Sequence, residues 1–87
     1  RQKRVAKRLD DRTFVFSGRM EIDDINEKFG LTLPEDEDFM TIAGYILYHH
    51  PSIPSQGQIL EIGDLRFEIL RSTSTKIVLV KMTLPEA

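Results

Sequence analysis

Hydrophobic residues recur along this chain with two different periods, and the change of period marks its elements. From Thr13 to Ser17 the sequence T-F-V-F-S alternates, with Phe14 and Phe16 on one side, the pattern of a half-buried strand. Gly18 then serves as a bend or bulge at the strand end. Between Glu21 and Phe29 the period lengthens. Ile22, Ile25 and Phe29 share one face of a helix. Glu21, Asp23 and Asp24 sit in its first turn and Lys28 in its last, matching the macrodipole, and Gly30 fits the left-handed position that ends a helix.

Leu31 to Pro34 reads as an extended link, because Pro34 turns Leu33 away from helical geometry. The acid run Glu35-Asp36-Glu37-Asp38 follows, with Asp38 as the expected N-cap of a second helix over Phe39–His49. Phe39, Ile42, Ala43, Ile46 and Leu47 form its apolar stripe. Gly44 lies in mid-helix, where glycine costs about 1 kcal/mol relative to alanine. The expected reason is close approach to a strand or to the first helix. Pro51 stops the helix, and Pro51 to Gly57 is a loop.

Beyond it the period returns to two. Gln58–Ile62 and Leu65–Arg71 read as strands joined by a tight Gly63-Asp64 turn of type II′. Leu65, Phe67 and Ile69 lie on one face, Arg66 and Glu68 on the other. A polar turn over Ser72–Thr75 leads to a last strand, Lys76–Thr83. Its run Ile77-Val78-Leu79-Val80 is apolar on both faces and is expected at the centre of the sheet.

The order β-α-α-β-β-β predicts an α+β domain: a single mixed or antiparallel sheet with two helices packed on one side. The expected core comprises Phe14, Phe16, Ile22, Ile25, Phe29, Ile42, Ile46, Leu47, Leu60, Phe67, Ile69, Ile77 and Leu79. Residues 1–12 are expected outside it, as a basic linker or tail of an upstream domain, leaving 13–87 as the folded unit. Val5, Ala6 and Leu9 make too thin a stripe there to bury much.

Composition narrows the function classes. A chain of 87 residues forms one modest core, without room for separate cofactor and substrate domains. The absence of cysteine excludes disulfides, thiolate metal sites and cysteine nucleophiles, and suits a reducing compartment. The formal net charge of −2 conceals an asymmetry. Residues 1–12 carry six bases against Asp10 and Asp11, a net +4, and residues 13–87 carry six bases and twelve acids, a net −6. An acidic globular part is a poor match for nucleic acid. The most apolar stretch, Phe39–Tyr48, is half the roughly 20 residues a membrane helix needs, and no signal peptide is visible. The chain begins with Arg1 and is expected to be a piece of a longer protein.

Candidate chemistry is sparse. Glu35, Asp36, Glu37 and Asp38 supply the oxygens a hard divalent cation takes, but consecutive side chains diverge and no calcium-loop glycine is present. The favoured reading is a solvated loop whose last acid caps a helix. His49 and His50 are adjacent, about 100° apart on a helix, whereas helical zinc ligands stand four residues apart. Ser17 and Ser55 lie near glycines without forming a nucleophile elbow, and neither phosphate-loop motif occurs. Tyr45 and Tyr48, three residues apart, are candidates for stacking on a base or flavin ring. The favoured reading places them at the edge of the core.

Three stretches, in this order and spacing, resemble the transporter-associated domain of the CorC/HlyC family. They are F-V-F-S-G-R-M-E-I-D-D-I-N-E-K-F-G-L-T-L-P at 14–34, T-I-A-G-Y-I-L at 41–47 and I-P-S-Q-G-Q-I-L-E-I-G-D-L-R-F-E-I-L at 53–70. The resemblance covers residues 13–83. It implies a domain at the C-terminus of membrane proteins that also carry paired cystathionine-beta-synthase (CBS) domains and a transmembrane domain, or at the end of some sodium/proton antiporters. Family members are linked to magnesium and cobalt efflux or labelled hemolysin-like. The domain is then non-catalytic and modulates ion transport from the cytoplasmic side of the membrane, with dimerisation through the parent protein.

The positions matching the family pattern are Gly18, Asn26, Pro34, Thr41, Gly44, Pro54, Gly57 and Gly63, each with a structural reading and none with a catalytic one. The fold implied is also similar to half of the FAD-binding domain of vanillyl-alcohol-oxidase-like flavoenzymes. FAD or adenine-nucleotide binding is therefore the alternative to a cofactor-free domain. Against it stand the missing glycine-rich cradle and the acidic charge.

Overall fold

Burial of the alternating apolar faces organises the described residues into five strands and two helices. The computed structural model describes residues 4–86. In chain order the elements are β1 (Ala6–Arg8), β2 (Thr13–Ser17), α1 (Ile22–Phe29), α2 (Ile42–His49), β3 (Ile59–Ile62), β4 (Leu65–Ser72) and β5 (Ile77–Thr83). The strands form one sheet in the order β1-β2-β5-β4-β3, with every neighbouring pair antiparallel. The doubly apolar β5 lies at its centre, as its sequence predicts.

Register decides which side chains meet the helices. Phe14 and Phe67 both pair with Met82, and Phe16 and Ile69 both pair with Val80. These six side chains share one face and are fully buried. Removing each from water stabilises the fold by about 1.5–3 kcal/mol. Phe29 of α1 packs edge-on against Phe14 at 5.2 Å, and Tyr45 of α2 tilts toward Phe67 at 6.1 Å. Both helices thus cover the same face, and Ile22, Ile25, Ile42 and Ile46 complete the core.

Four expectations are corrected. Residues 1–12 are not wholly outside the fold. Although Arg1 and Lys3 lie outside the described residues, β1 pairs with β2 in the register Ala6↔Phe16, Lys7↔Val15, Arg8↔Phe14. A thin stripe suffices for an edge strand, which needs only Ala6 against the core, while the Arg8 guanidinium lies over the rings of Phe14 (5.3 Å) and Phe29 (5.9 Å). The β1–β2 connection is held by Asp10, whose carboxylate accepts the Arg12 N–H at 2.9 Å. That bond, with one from the Thr13 hydroxyl, holds Asp10 below its ordinary value.

Second, α2 begins at Ile42, not Phe39, and its N-cap is Thr41, not Asp38. The Thr41 hydroxyl accepts the Gly44 N–H at 3.0 Å, while Asp36 to Phe39 forms a tight turn of its own, with Phe39 N–H donating to Asp36 C=O at 3.2 Å. Third, Leu79 faces the uncovered side of the sheet. Ile77, Val80 and Met82 are the buried members of β5, because a run apolar on both faces leaves its parity undetermined by sequence. Fourth, Gly44 approaches neither a strand nor α1. A Cβ there would lie 3.1 Å from the Thr41 hydroxyl oxygen of its own helix cap. The hairpin turn is as expected: Ile62 pairs with Leu65 across Gly63-Asp64, with Gly63 at φ +58° and no positive φ at Asp64.

Candidate functional site

The family-pattern positions divide into two junctions and a hairpin brace. Gly18 stands where β2 ends, against β5 and the start of α2. Its N–H donates to Val78 C=O at 2.9 Å, and its C=O accepts the Ala43 N–H at 2.8 Å. A Cβ at this position would fall against the Ile77 carbonyl, well inside contact distance, so only glycine fits. Thr41 caps α2 beside it. Two further main-chain bonds tie the starts of the helices together: Ile22 N–H to Met40 C=O at 2.9 Å and Ile42 N–H to Met20 C=O at 3.0 Å.

Asn26 makes the second junction. Its amide oxygen accepts the Leu33 N–H at 2.9 Å, and its amide nitrogen donates to Leu33 C=O at 3.0 Å and to a Glu35 carboxylate oxygen at 2.9 Å. One side chain thus substitutes for a strand partner and pins the link against α1, burying Leu33 just ahead of Pro34. In the brace, the C=O of buried Pro54 accepts the Ser72 hydroxyl at 2.9 Å, and Gly57 N–H donates to Ile69 C=O at 2.7 Å, carrying the loop before β3 along β4.

The tyrosine pair is split. Tyr45 is 6% exposed, and burial raises its hydroxyl pKa above the ordinary value. Tyr48 is 55% exposed. Both touch Phe39, at 5.1 and 5.2 Å, in edge-to-face arrangements. Tyr45 belongs to the buried core and Tyr48 stands outside it. The two rings do not lie side by side as an open stacking surface. The histidines also part: His49 packs edge-on against Tyr45 at 4.9 Å, while His50 Nδ1 faces Ser52 C=O at 2.8 Å.

The acid run does not converge. Glu35 is taken by Asn26, and the Asp36 carboxylate accepts the Asp38 N–H at 2.9 Å. Glu35, Asp36 and Glu37 do border a groove of about 380 Å³ together with Ile22, Asp23 and Met40, and Met40 is 65% exposed. Sequence reading took Glu21, Asp23 and Asp24 only for their helix-dipole effect. Their oxygens lie within 4.8 Å of one another at the surface. The i, i+2, i+3 spacing at a helix start is the signal that brings them together.

The comparisons with known proteins agree on one family. The family model described as "Transporter associated domain" (CorC_HlyC) matches residues 7–86, beginning inside β1. The chain is 26% identical over 80 residues to the magnesium and cobalt efflux protein CorC of Vibrio cholerae, covering 92% of this chain and 27% of that protein. A possible hemolysin C of Rickettsia canadensis is 28% identical over 82 residues, covering 93% of this chain and 28% of the relative. The chain thus spans little more than a quarter of these relatives. Among solved structures, the transporter associated domain CorC_HlyC from Nitrosomonas europaea superposes with a TM-score of 0.76 at 26% identity, covering 95% of this chain and 99% of that one.

Proposed function

Since the chain belongs to the CorC/HlyC transporter associated domain family, we propose that it is a non-catalytic accessory domain that modulates ion transport by a larger membrane protein. The parent is of the magnesium and cobalt efflux or hemolysin-like kind, with a transmembrane domain and a CBS pair, and this domain lies on its cytoplasmic side. The observation that carries the reading is the match over residues 7–86 together with the efflux proteins that contain such a segment. No helix among the described residues is long and apolar enough to cross a membrane, so conduction falls to other parts of the parent.

Modulation requires a coupling free energy between docking of this domain and the states of the transporter, typically about 1–3 kcal/mol. Two surfaces are open to docking: the acidic loop Glu35–Asp38 and the uncovered side of the sheet. On that side the row Lys7, Val15, Lys81, Glu68 and Ile59 presents a Lys81–Glu68 pair between apolar neighbours. The reading needs no flavin, and the splitting of Tyr45 from Tyr48 supports a domain without one.

The experiment removes the domain. The parent is truncated upstream of Arg4, so that β1 leaves with its sheet, and magnesium or cobalt flux is measured in proteoliposomes. Retained flux with altered dependence on the cation is expected. Complete loss of flux in folded, inserted protein would make the domain part of the transport path, and unchanged flux and assembly would overturn a modulatory role.

A further inference from the structure

Where β2 ends and β5 begins, a groove of about 480 Å³ opens at the end of the sheet beside the start of α2. Three cations from three separate segments line it: Arg19 after β2, Arg71 near the end of β4 and Lys76 just before β5. No carboxylate is among its lining residues, although the chain holds 14 acids against 12 bases. Two ion pairs lie elsewhere on the surface, Arg12–Glu86 and Lys81–Glu68, both at 3.5 Å. Among the described residues no carboxylate pairs with Arg71 or Lys76.

The placement of these cations is built into the backbone. In β4 Ile69 pairs with Val80, but Arg71 rather than Leu70 pairs with Leu79, a bulge that turns Arg71 toward the groove. Lys76 closes a turn in which the Thr73 hydroxyl accepts the N–H groups of Thr75 and Lys76, both at 3.2 Å. The floor is formed by Gly18, Ala43, Ile77 and Leu79, with Ser17 at its inner wall. Ser17 is 7% exposed, and its oxygen accepts the Val5 N–H at 2.7 Å, which leaves the hydroxyl proton to donate. The first amides of α2 contribute nothing, since those of Ile42, Ala43 and Gly44 are bonded to Met20, Gly18 and Thr41.

We propose that this groove binds a phosphate-bearing anion. The Arg71 guanidinium fork matches a pair of phosphate oxygens, and the Lys76 ammonium adds a point charge. A compact cavity of small-molecule size favours a phosphate ester over an extended acidic peptide. The acidic net charge of the chain hides this locally cationic end. The inference does not depend on the transport reading.

The test is a titration of the 87-residue chain with inorganic pyrophosphate at low ionic strength, read by amide NMR shifts. Saturable shifts at Gly18, Lys76, Ile77 and Leu79 are expected, weakening steeply with added salt. In Arg71→Gln/Lys76→Gln the affinity should fall at least about tenfold, with Lys76→Gln alone intermediate and Arg66→Gln, on the uncovered sheet face, unchanged. In a second arm the chain is mixed with phosphatidic acid or phosphatidylcholine vesicles. Binding to the former that depends on Arg71 and Lys76, without a pyrophosphate response, assigns the phosphate to a lipid headgroup, and the reverse assigns it to a soluble ester. Three results would overturn the proposal: no response in either arm, shifts reproduced by chloride at equal ionic strength, or tighter binding of an oligoglutamate at the same residues.

Discussion

At Gly18 the chain is locked by main chain against main chain; at Asn26 it is held by one side chain. The first junction places β2, β5 and α2 so close that no Cβ fits, and its hydrogen bonds join backbone groups of Gly18, Val78 and Ala43. The second joins α1 to a link that has no partner strand, and one carboxamide supplies both the donor and the acceptor that a strand would have offered Leu33. The contrast shows why the two tolerate change differently. A backbone contact has nowhere to relax, whereas a lost side-chain contact can be replaced in part by water at a half-exposed site.

That difference is broken most sharply at Gly18. Gly18→Ala should destabilise by roughly 3 kcal/mol or more, beyond ordinary overpacking, because the Ile77 carbonyl rather than a side chain must move. Thermal or urea unfolding measures it, and a melting temperature within error of the parent would show that the joint is not tight. Next comes removal of residues 1–8. Loss of β1 strips Ser17 of both its bonds to Val5 and uncovers the core surface under Ala6 and the ring faces under Arg8. About 2–3 kcal/mol is expected from two or three net hydrogen bonds and the lost packing. An unchanged urea midpoint would return the segment to the role of a tail.

Asn26→Ala should cost less, about 1–2 kcal/mol, since Leu33 N–H and C=O lose partners at a site that water reaches. Faster amide exchange at Leu33, with the sheet amides unaffected, would show that the clasp acts locally. Smallest is Gly44→Ala. Helix propensity gains about 1 kcal/mol, and the only tight neighbour is the rotatable Thr41 hydroxyl at 3.1 Å. The net change should stay within about 1 kcal/mol. A loss as large as that of Gly18→Ala would erase the distinction between the two glycines.

The same contrast governs what was readable in the sequence. Elements defined by side-chain period were legible: α1 runs Ile22–Phe29 inside the expected Glu21–Phe29, and the β3–β4 hairpin turns at Gly63-Asp64. Features carried by main chain or by distant juxtaposition were not. Lys7 and Arg8 read as tail because an edge strand buries only one small residue, Ala6. Asp38 looked like the cap because an acid run adjoined an apolar one, but the T-x-x-G of Thr41 and Gly44 set the true start. Arg19, Arg71 and Lys76 belong to three segments, and no spacing along the chain announces that a bulge brings them to one groove. The family pattern marked Gly18 and Asn26, and the structure supplies their reasons.

On the proposed reading, docking of this domain and binding of the transported cation are coupled free energies, so bound magnesium or cobalt changes how the domain docks as much as docking changes cation affinity. Amide hydrogen exchange of residues 4–86 within the intact parent, with and without saturating magnesium or cobalt, measures this without deleting anything. A contiguous surface patch should change its protection by about fivefold or more, the low end of such couplings. Identical exchange at every amide of the domain in both conditions would contradict a modulatory role.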